Sequence, residues 1–349
     1  MESNFGKIEK DFFKQYIENH CGKERKAVTA GPKFGVDVSV VTLPNNMAMA
    51  LASDPLSLIP QLGLKESAWL SVHLTANDIA TTSFAPMYGQ FILNLPSKFS
   101  EKEFQTYWSY ISQFCEEIGL AITGGHTGFV EGQNSTIAGG ATFITIAPHN
   151  QIITSKNAKP GDAILVTKSC AISTSAILAM SFPETVKNKV GTEIFQQARD
   201  AFYDISVLKD ALTAVQHNRS DITAMHDVTE GGVLGAVYEL AAASENGAEI
   251  LNDKLPVDKV HGSICDVFSL DPRYCVGAGS LLITCKRNAV TEIISQLQKA
   301  DIQCTEIGKL TEKSKGIKLI EHEKISDLIY FEKDPYWEAF FKAQKLGWK

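Results

Sequence analysis

The stretch from Ala224 to Gly235, Ala-Met-His-Asp-Val-Thr-Glu-Gly-Gly-Val-Leu-Gly, constrains this chain more than any other. An acid, Asp227, stands just ahead of a glycine pair, Gly231 and Gly232, and the pair opens an apolar helix from Val233 to Ala243. Helix N-termini present unpaired N–H groups and a partial positive charge. Two glycines let another molecule approach that backbone closely. An acid beside them can hold a cation next to bound phosphate. The bland alternative is that the glycines only relieve crowding where the helix packs. Four further segments decide how the stretch is read.

At 349 residues the chain is long enough for two ordinary domains with their own cores. Its 44% hydrophobic and 21% charged residues are the make-up of a soluble globular protein. The net charge is -7 and no Lys/Arg block occurs, which argues against nucleic acid as a partner. An anionic nucleotide remains compatible with that balance, because Mg2+ and backbone N–H groups can carry the load. Residues 1–20 lack the apolar core of a signal peptide, and no apolar run approaches membrane-spanning length, so no membrane partner is expected. The seven cysteines include no Cys-x-x-Cys pair and read as reduced thiols of a cytoplasmic protein.

Periodicity predicts an α/β chain. Gly35 to Leu43 reads as a strand, Asn45-Asn46 as a turn and 47–52 as the returning strand. Residues 65–80 read as a helix, 88–95 as a strand and 101–118 as an amphipathic helix stopped by Gly119. Strands follow at 120–123 and 138–147. The polar stretch from Pro148 to Pro160 marks a boundary between an N-terminal domain over 1–155 and a C-terminal domain over 156–349. Beyond it the pattern gives a strand at 163–167, helices at about 172–181 and 192–216, and the glycine-opened helix. A strand–helix–strand unit at 281–285, 289–298 and 304–307 closes the pattern. From Lys315 a charged tail carries Phe331, Tyr336 and Trp337 as aromatic anchors.

Four segments of the first half accompany the Asp227 stretch. Asp37 stands inside an apolar strand pattern, where it either faces solvent or has a partner. Asp54 ends a strand ahead of Pro55, as a turn former or a ligand. Asn77 and Asp78 interrupt an apolar helix, a poor filling that marks a ligand site, an exposed face or a helix end. Gly124, Gly125, His126 and Thr127 follow a strand, and glycines there form either a tight turn or an anion-accepting nest. Together the acids and glycines suit a nucleoside triphosphate with Mg2+.

In this order the segments resemble the AIR synthase (PurM-like) superfamily, and within it the HypE-like, AIR synthase-related group. The resemblance runs from about Gly31 to Gly308. It implies an N-terminal α/β domain that dimerises through its sheet, giving a homodimer, and a C-terminal α/β domain, with ATP and Mg2+ as cofactors. By motif position, Asp37, Asp78 and Asp227 would hold Mg2+. Asp54, Asn77, Gly124, Gly125, His126, Thr127, Gly231 and Gly232 would contact the nucleotide, and His126 and Asp227 would take part in the chemistry. The reaction implied is ATP-dependent activation of an oxygen on a small-molecule or protein substrate, as in hydrogenase-maturation factors of the HypE kind. HypE carries a Cys-bearing tail, whereas the last cysteine here is Cys304. That departure keeps open a nucleotide-binding maturation or regulatory module without turnover.

Overall fold

The computed structural model describes residues 6–349, which divide into two compact units. The C-terminal unit takes in residues 6–25, together with Pro32–Asp37 and Ile153–Lys349. The N-terminal unit comprises Lys26–Gly31 and Val38–Ile152. The chain opens with a short helix α1 (Lys10–Phe13) that continues into a helical turn at Lys14–Glu18.

In the N-terminal unit the strands are β1 (Val28–Ala30), β2 (Ser39–Leu43), β3 (Met47–Ser57), β4 (Tyr88–Pro96), β5 (Ala121–Val130) and β6 (Ile137–Pro148). They form one sheet in the order β1-β2-β3-β6-β4-β5. Asn45 and Asn46 both adopt positive φ between β2 and β3, the conformation a two-residue hairpin turn demands. Two helices, α2 (Leu64–Ala80) and α3 (Glu101–Glu117), separate the middle strands, and α2 packs on β3 and β6. Helix α3 starts at Ser100, whose side chain accepts from the Glu103 N–H while the Glu103 carboxylate accepts in return. It connects β4 to the parallel strand β5. Alternate residues of β4 (Gly89, Phe91, Leu93 and Leu95) are buried, and Tyr88, Gln90, Ile92 and Asn94 are exposed. One face of β4 thus belongs to the core and the other is open.

The C-terminal unit holds β7 (Ala163–Thr167), β8 (Ile222–Asp227), β9 (Asn246–Leu251), β10 (Leu281–Cys285), β11 (Cys304–Glu312), β12 (Ile317–Glu321) and β13 (Lys324–Asp327). Their order is β13-β12-β9-β11-β7-β10-β8, so β8 forms an edge. Every residue of β7 and β10 is buried, as expected for short continuous apolar runs covered on both faces. The helices are α4 (Ile172–Ser181), α5 (Pro183–Val190), α6 (Thr192–Asp200), α7 (Leu208–Asn218), α8 (Gly232–Ala243), α9 (Lys259–Val267), α10 (Val290–Lys299) and α11 (Pro335–Lys345). Helix α8 packs its Val233, Leu234, Val237 and Leu240 against Ile164, Val166, Ala224 and Leu282 of the sheet. A second core joins α4, α5, α6, α9 and α11 through Phe182, Phe195, Phe268 and Tyr336.

Two expectations about local structure change. The helix read over 192–216 is broken into α6, a 3-10 turn at Ala201–Ile205, and α7. Strand β2 begins at Ser39, so Asp37 lies in the lead-in segment and not within a strand. The charged tail from Lys315 forms two strands and a helix, and Tyr336 and Trp337 pack in the second core as anchors. Among the described residues no helix is long and apolar enough to cross a membrane, and the seven cysteines are free thiols, of which Cys21 is exposed.

Candidate functional site

In the C-terminal unit the site grows from the edge strand β8. Ala224 and His226 face the α8 side of the sheet, with His226 across from Leu282, and Asp227 ends the strand opposite Leu281. Helix α8 presents one acid, Glu239, within an apolar sequence. His226 Nε2 lies 3.2 Å from Glu239 Oε2. His226 Nδ1 lies 2.7 Å from Asp37 Oδ1 and 3.0 Å from Oδ2. All three side chains are buried.

Both ring nitrogens of His226 therefore face carboxylates, which only accept, so both must donate and the ring is an imidazolium. Burial works against that charge. Asp37 and Glu239 outweigh it and lift the His226 pKa to about 10. Burial likewise opposes ionisation of Glu239, but Lys7 and His226 hold its pKa down to about 2. Glu239 Oε1 also accepts from the Tyr330 hydroxyl at 3.3 Å.

Around this pair lie further acids. Desolvation disfavours the Lys7 ammonium, yet Glu239, Asp227, Glu230 and Asp37 together raise its pKa. With 51% of the Lys7 side chain exposed, solvent screens that attraction and it adds little to stability. Asp227 itself is buried. The four carboxylates outnumber the two cations, Lys7 and His226, and leave the cluster a formal excess of negative charge. Carboxylate oxygens are the hard donors Mg2+ takes, so the donors match that ion in chemical type. Asp37 already receives one N–H across its two oxygens and would have to share them with a metal.

The Gly231–Gly232 pair is not an open anion site. The Gly231 N–H donates to Asp334 Oδ2 at 2.6 Å, and the Leu234 N–H donates to the Arg273 carbonyl at 3.2 Å. A Cβ on Gly232 would stand 2.5 Å from the Arg273 carbonyl oxygen, so close backbone packing requires a glycine there. The helix N-terminus is thus capped by the protein itself. Asp334 also accepts from the Tyr336 N–H at 2.8 Å. Burial is the largest influence on Asp334 and, against the Gly231, Tyr336 and Val276 N–H groups, pushes its pKa up to about 6. Glu230 accepts from the Trp337 indole N–H at 3.2 Å. The segment opening α11 therefore buttresses the Asp227 stretch.

The remaining expected site residues belong to the N-terminal unit. Asp54 lies inside β3, paired with Ala141 of β6, and not in a turn, because the strand runs on through Pro55 to Ser57. Asn77 and Asp78 lie in the last turn of α2, Asn77 buried and Asp78 half-buried. Gly124, Gly125, His126 and Thr127 form no loop nest. They lie in β5, an edge strand largely exposed, where His126 pairs with Ile92. Gly125 has φ of +147° and a Cβ there would stand 1.8 Å from the Phe91 carbonyl oxygen, so the pairing of β5 with β4 accounts for this glycine.

Sequence reasoning singled out Asp227 but not His226 beside it, nor Glu239, Glu230, Lys7 or Asp334. An acid alone in the apolar run Val233–Ala243 was the available signal for Glu239. No local pattern marks Lys7 or Asp334.

Two units, each built on a mixed sheet, one of them carrying an acid-rich motif at the end of an edge strand, are the architecture of the PurM-like fold. Residues 35–145 match the N-terminal domain, and 159–320 the C-terminal domain, of AIR synthase related proteins. The chain belongs to the AIR synthase-related family. A putative hydrogenase expression/formation protein of Methanocaldococcus jannaschii is 26% identical to it over 71% of this chain and 71% of that protein. Thiamine-monophosphate kinase of Buchnera aphidicola is 23% identical over 93% of this chain and 96% of its own. The crystal structure of the hydrogenase maturation protein HypE in complex with ATP superposes with a TM-score of 0.69, at 18% identity, over 94% of each chain.

Proposed function

We propose that this protein is an ATP- and Mg2+-dependent enzyme that activates a substrate oxygen by phosphoryl transfer, working as a homodimer. The observation that carries the reading is the buried acid cluster at the end of β8, with its formal excess of negative charge around Asp227. Family membership supports it, and relatives are named as an ATP complex and as a phosphoryl-transferring kinase. When bound, Mg2+–ATP supplies a transferable phosphoryl group and neutralises charge as that group moves. Asp227 would hold the cation and Asp37 would share it while keeping its bond to His226; Asp78 stays a candidate ligand by motif position alone. His226 fixes Asp37 through its imidazolium and so positions that carboxylate. Asp54, Asn77 and residues 124–127 are the nucleotide-contacting candidates of the N-terminal unit. The substrate class is a carbonyl, amide or phosphate-acceptor oxygen, and a hydrogenase-maturation role is one instance of it.

One observation favours a second reading, binding without turnover. The Gly231 and Leu234 N–H groups are already spent on Asp334 and Arg273, so they offer nothing to a phosphate. Calorimetric titration with ATP, with and without Mg2+, followed by a phosphate-release assay, tests both. The enzyme reading expects Mg2+-dependent binding with release of ADP or phosphate. It also expects binding weakened about tenfold or more in Asp227→Asn and Asp78→Asn, since each removes a charged ligand. Unchanged binding in both variants defeats the metal assignment, and tight binding with no product favours the module.

A further inference from the structure

The family match begins at residue 35, yet a segment well before it reaches the acid cluster of the C-terminal unit. Lys7 Nζ donates to Thr229 Oγ1 at 2.8 Å and lies 3.7 Å from Glu239 Oε2. The Lys7 backbone N–H donates to Glu230 Oε2 at 2.9 Å. Three residues on, the Lys10 N–H donates to Glu332 Oε2 at 3.1 Å. The Lys10 ammonium donates to the Tyr238 hydroxyl at 3.0 Å and lies over the rings of Phe34 and Tyr238, 5.3 and 4.8 Å from their centroids. The segment is thus held at two points three residues apart, and Lys7 is the one that touches the acid cluster at β8.

We propose that residues 6–10 form a strap whose Lys7 ammonium, placed at Glu239, is the resting counter-ion of the acid cluster at the end of β8 and is displaced when a divalent cation loads. The inference rests on the reading of Asp227 as a metal ligand. An ammonium and a divalent cation among the same carboxylates repel each other, so one occupies the cluster at the other's expense. The geometry favours Lys7 as the group that yields. Its side chain is half exposed, its contact with Glu239 is long, and a four-carbon stem lets the ammonium swing to solvent. His226 cannot yield in that way, being buried between two carboxylates. The cation–π contacts of Lys10 keep the strap tethered while Lys7 departs, so the device acts as a gate on metal loading.

The test uses the full chain and Mn2+ in place of Mg2+, with the free ion followed by electron paramagnetic resonance, alone and with a non-hydrolysable ATP analogue. Lys7→Ala is expected to bind Mn2+ about tenfold more tightly than the wild type, and Lys7→Arg about equally, since only the first removes the competing charge. In the wild type, Mn2+ is expected to speed tryptic cleavage after Lys7. Wild-type binding that falls in Asp227→Asn but does not move in Lys7→Ala overturns the strap and leaves the metal site standing. Weaker binding in Lys7→Ala also overturns it. No Mn2+ binding by any of these proteins overturns both the strap and the metal assignment beneath it.

Discussion

Replacing His226 with glutamine is the most informative single perturbation of the C-terminal unit. The variant keeps a polar side chain but cannot carry charge, and it leaves Asp37 and Glu239 as two buried carboxylates facing a neutral group. Breaking a buried ion pair by removing one partner costs about 3–5 kcal/mol. Linkage gives a second route to the magnitude. Asp37 and Glu239 raise the His226 pKa from 6.5 to about 10 against the opposing effect of burial. A raised pKa means that the stabilisation is fully present below the unfolded value and is lost as pH rises through the folded one. Near pH 7.5 roughly 3 kcal/mol of it remains, in line with the direct estimate. The assay is amide hydrogen exchange on β8, which reads the opening free energy of the unit that holds the pair, supported by denaturant unfolding. Wild-type protection is expected to fall between about pH 7 and pH 10, by up to about 1.4 kcal/mol per pH unit. His226→Gln is expected to start about 3 kcal/mol lower and to lack that slope. Adding Glu239→Gln to His226→Gln should recover part of the loss, because it removes one of the orphaned charges. A variant within about 1 kcal/mol of wild type that keeps the wild-type slope would refute the imidazolium assignment.

Two further outcomes follow from the geometry. Asp334→Ala removes the acceptor of the Gly231 and Tyr336 N–H groups and should destabilise the unit by about 2–3 kcal/mol in denaturant unfolding at neutral pH. The Asp334 contribution to stability should fall as pH rises from about 4 to about 6, read as the difference between wild type and Asp334→Asn in the same assay, because the raised pKa means the fold prefers the protonated form. Tyr88 and Ile92 are 37% and 50% exposed on the open face of β4, an apolar surface that a second copy would cover. Light scattering is expected to give a dimer for the wild type and a monomer for Ile92→Asp, and a monomeric wild type would sink the homodimer reading.

Local pattern was enough for the elements whose structure is decided within a window of residues. The runs Ala163–Thr167 and Leu281–Cys285 are strands as read, because short apolar runs bury most readily as central strands. Helix α3 carries its buried Ile111 and Cys115 at the spacing the sequence shows. The order of the acid and glycine segments was enough to place the chain in its family. The glycine segments were where local reading gave way. Gly124–Gly128 has little intrinsic preference for a strand, and what makes it one is pairing with β4, where Gly125 passes against the Phe91 backbone. Gly231 and Gly232 suggest an open helix end until Asp334, about a hundred residues further on, fills it.

What the sequence determined by itself, then, was a part of the strands and helices, β7, β10 and α3 among them, and the presence of Asp37 and Asp227 as acids in apolar surroundings. Only the tertiary structure decided that Asp37 meets His226 across 189 residues, and that Lys7 meets Glu230 across 223 and reaches Glu239 as well. The physical reason is one of range. Secondary structure sums preferences over neighbours along the chain, whereas a buried charge settles only when folding brings it an opposite charge, and nothing in the local pattern records which residue that is.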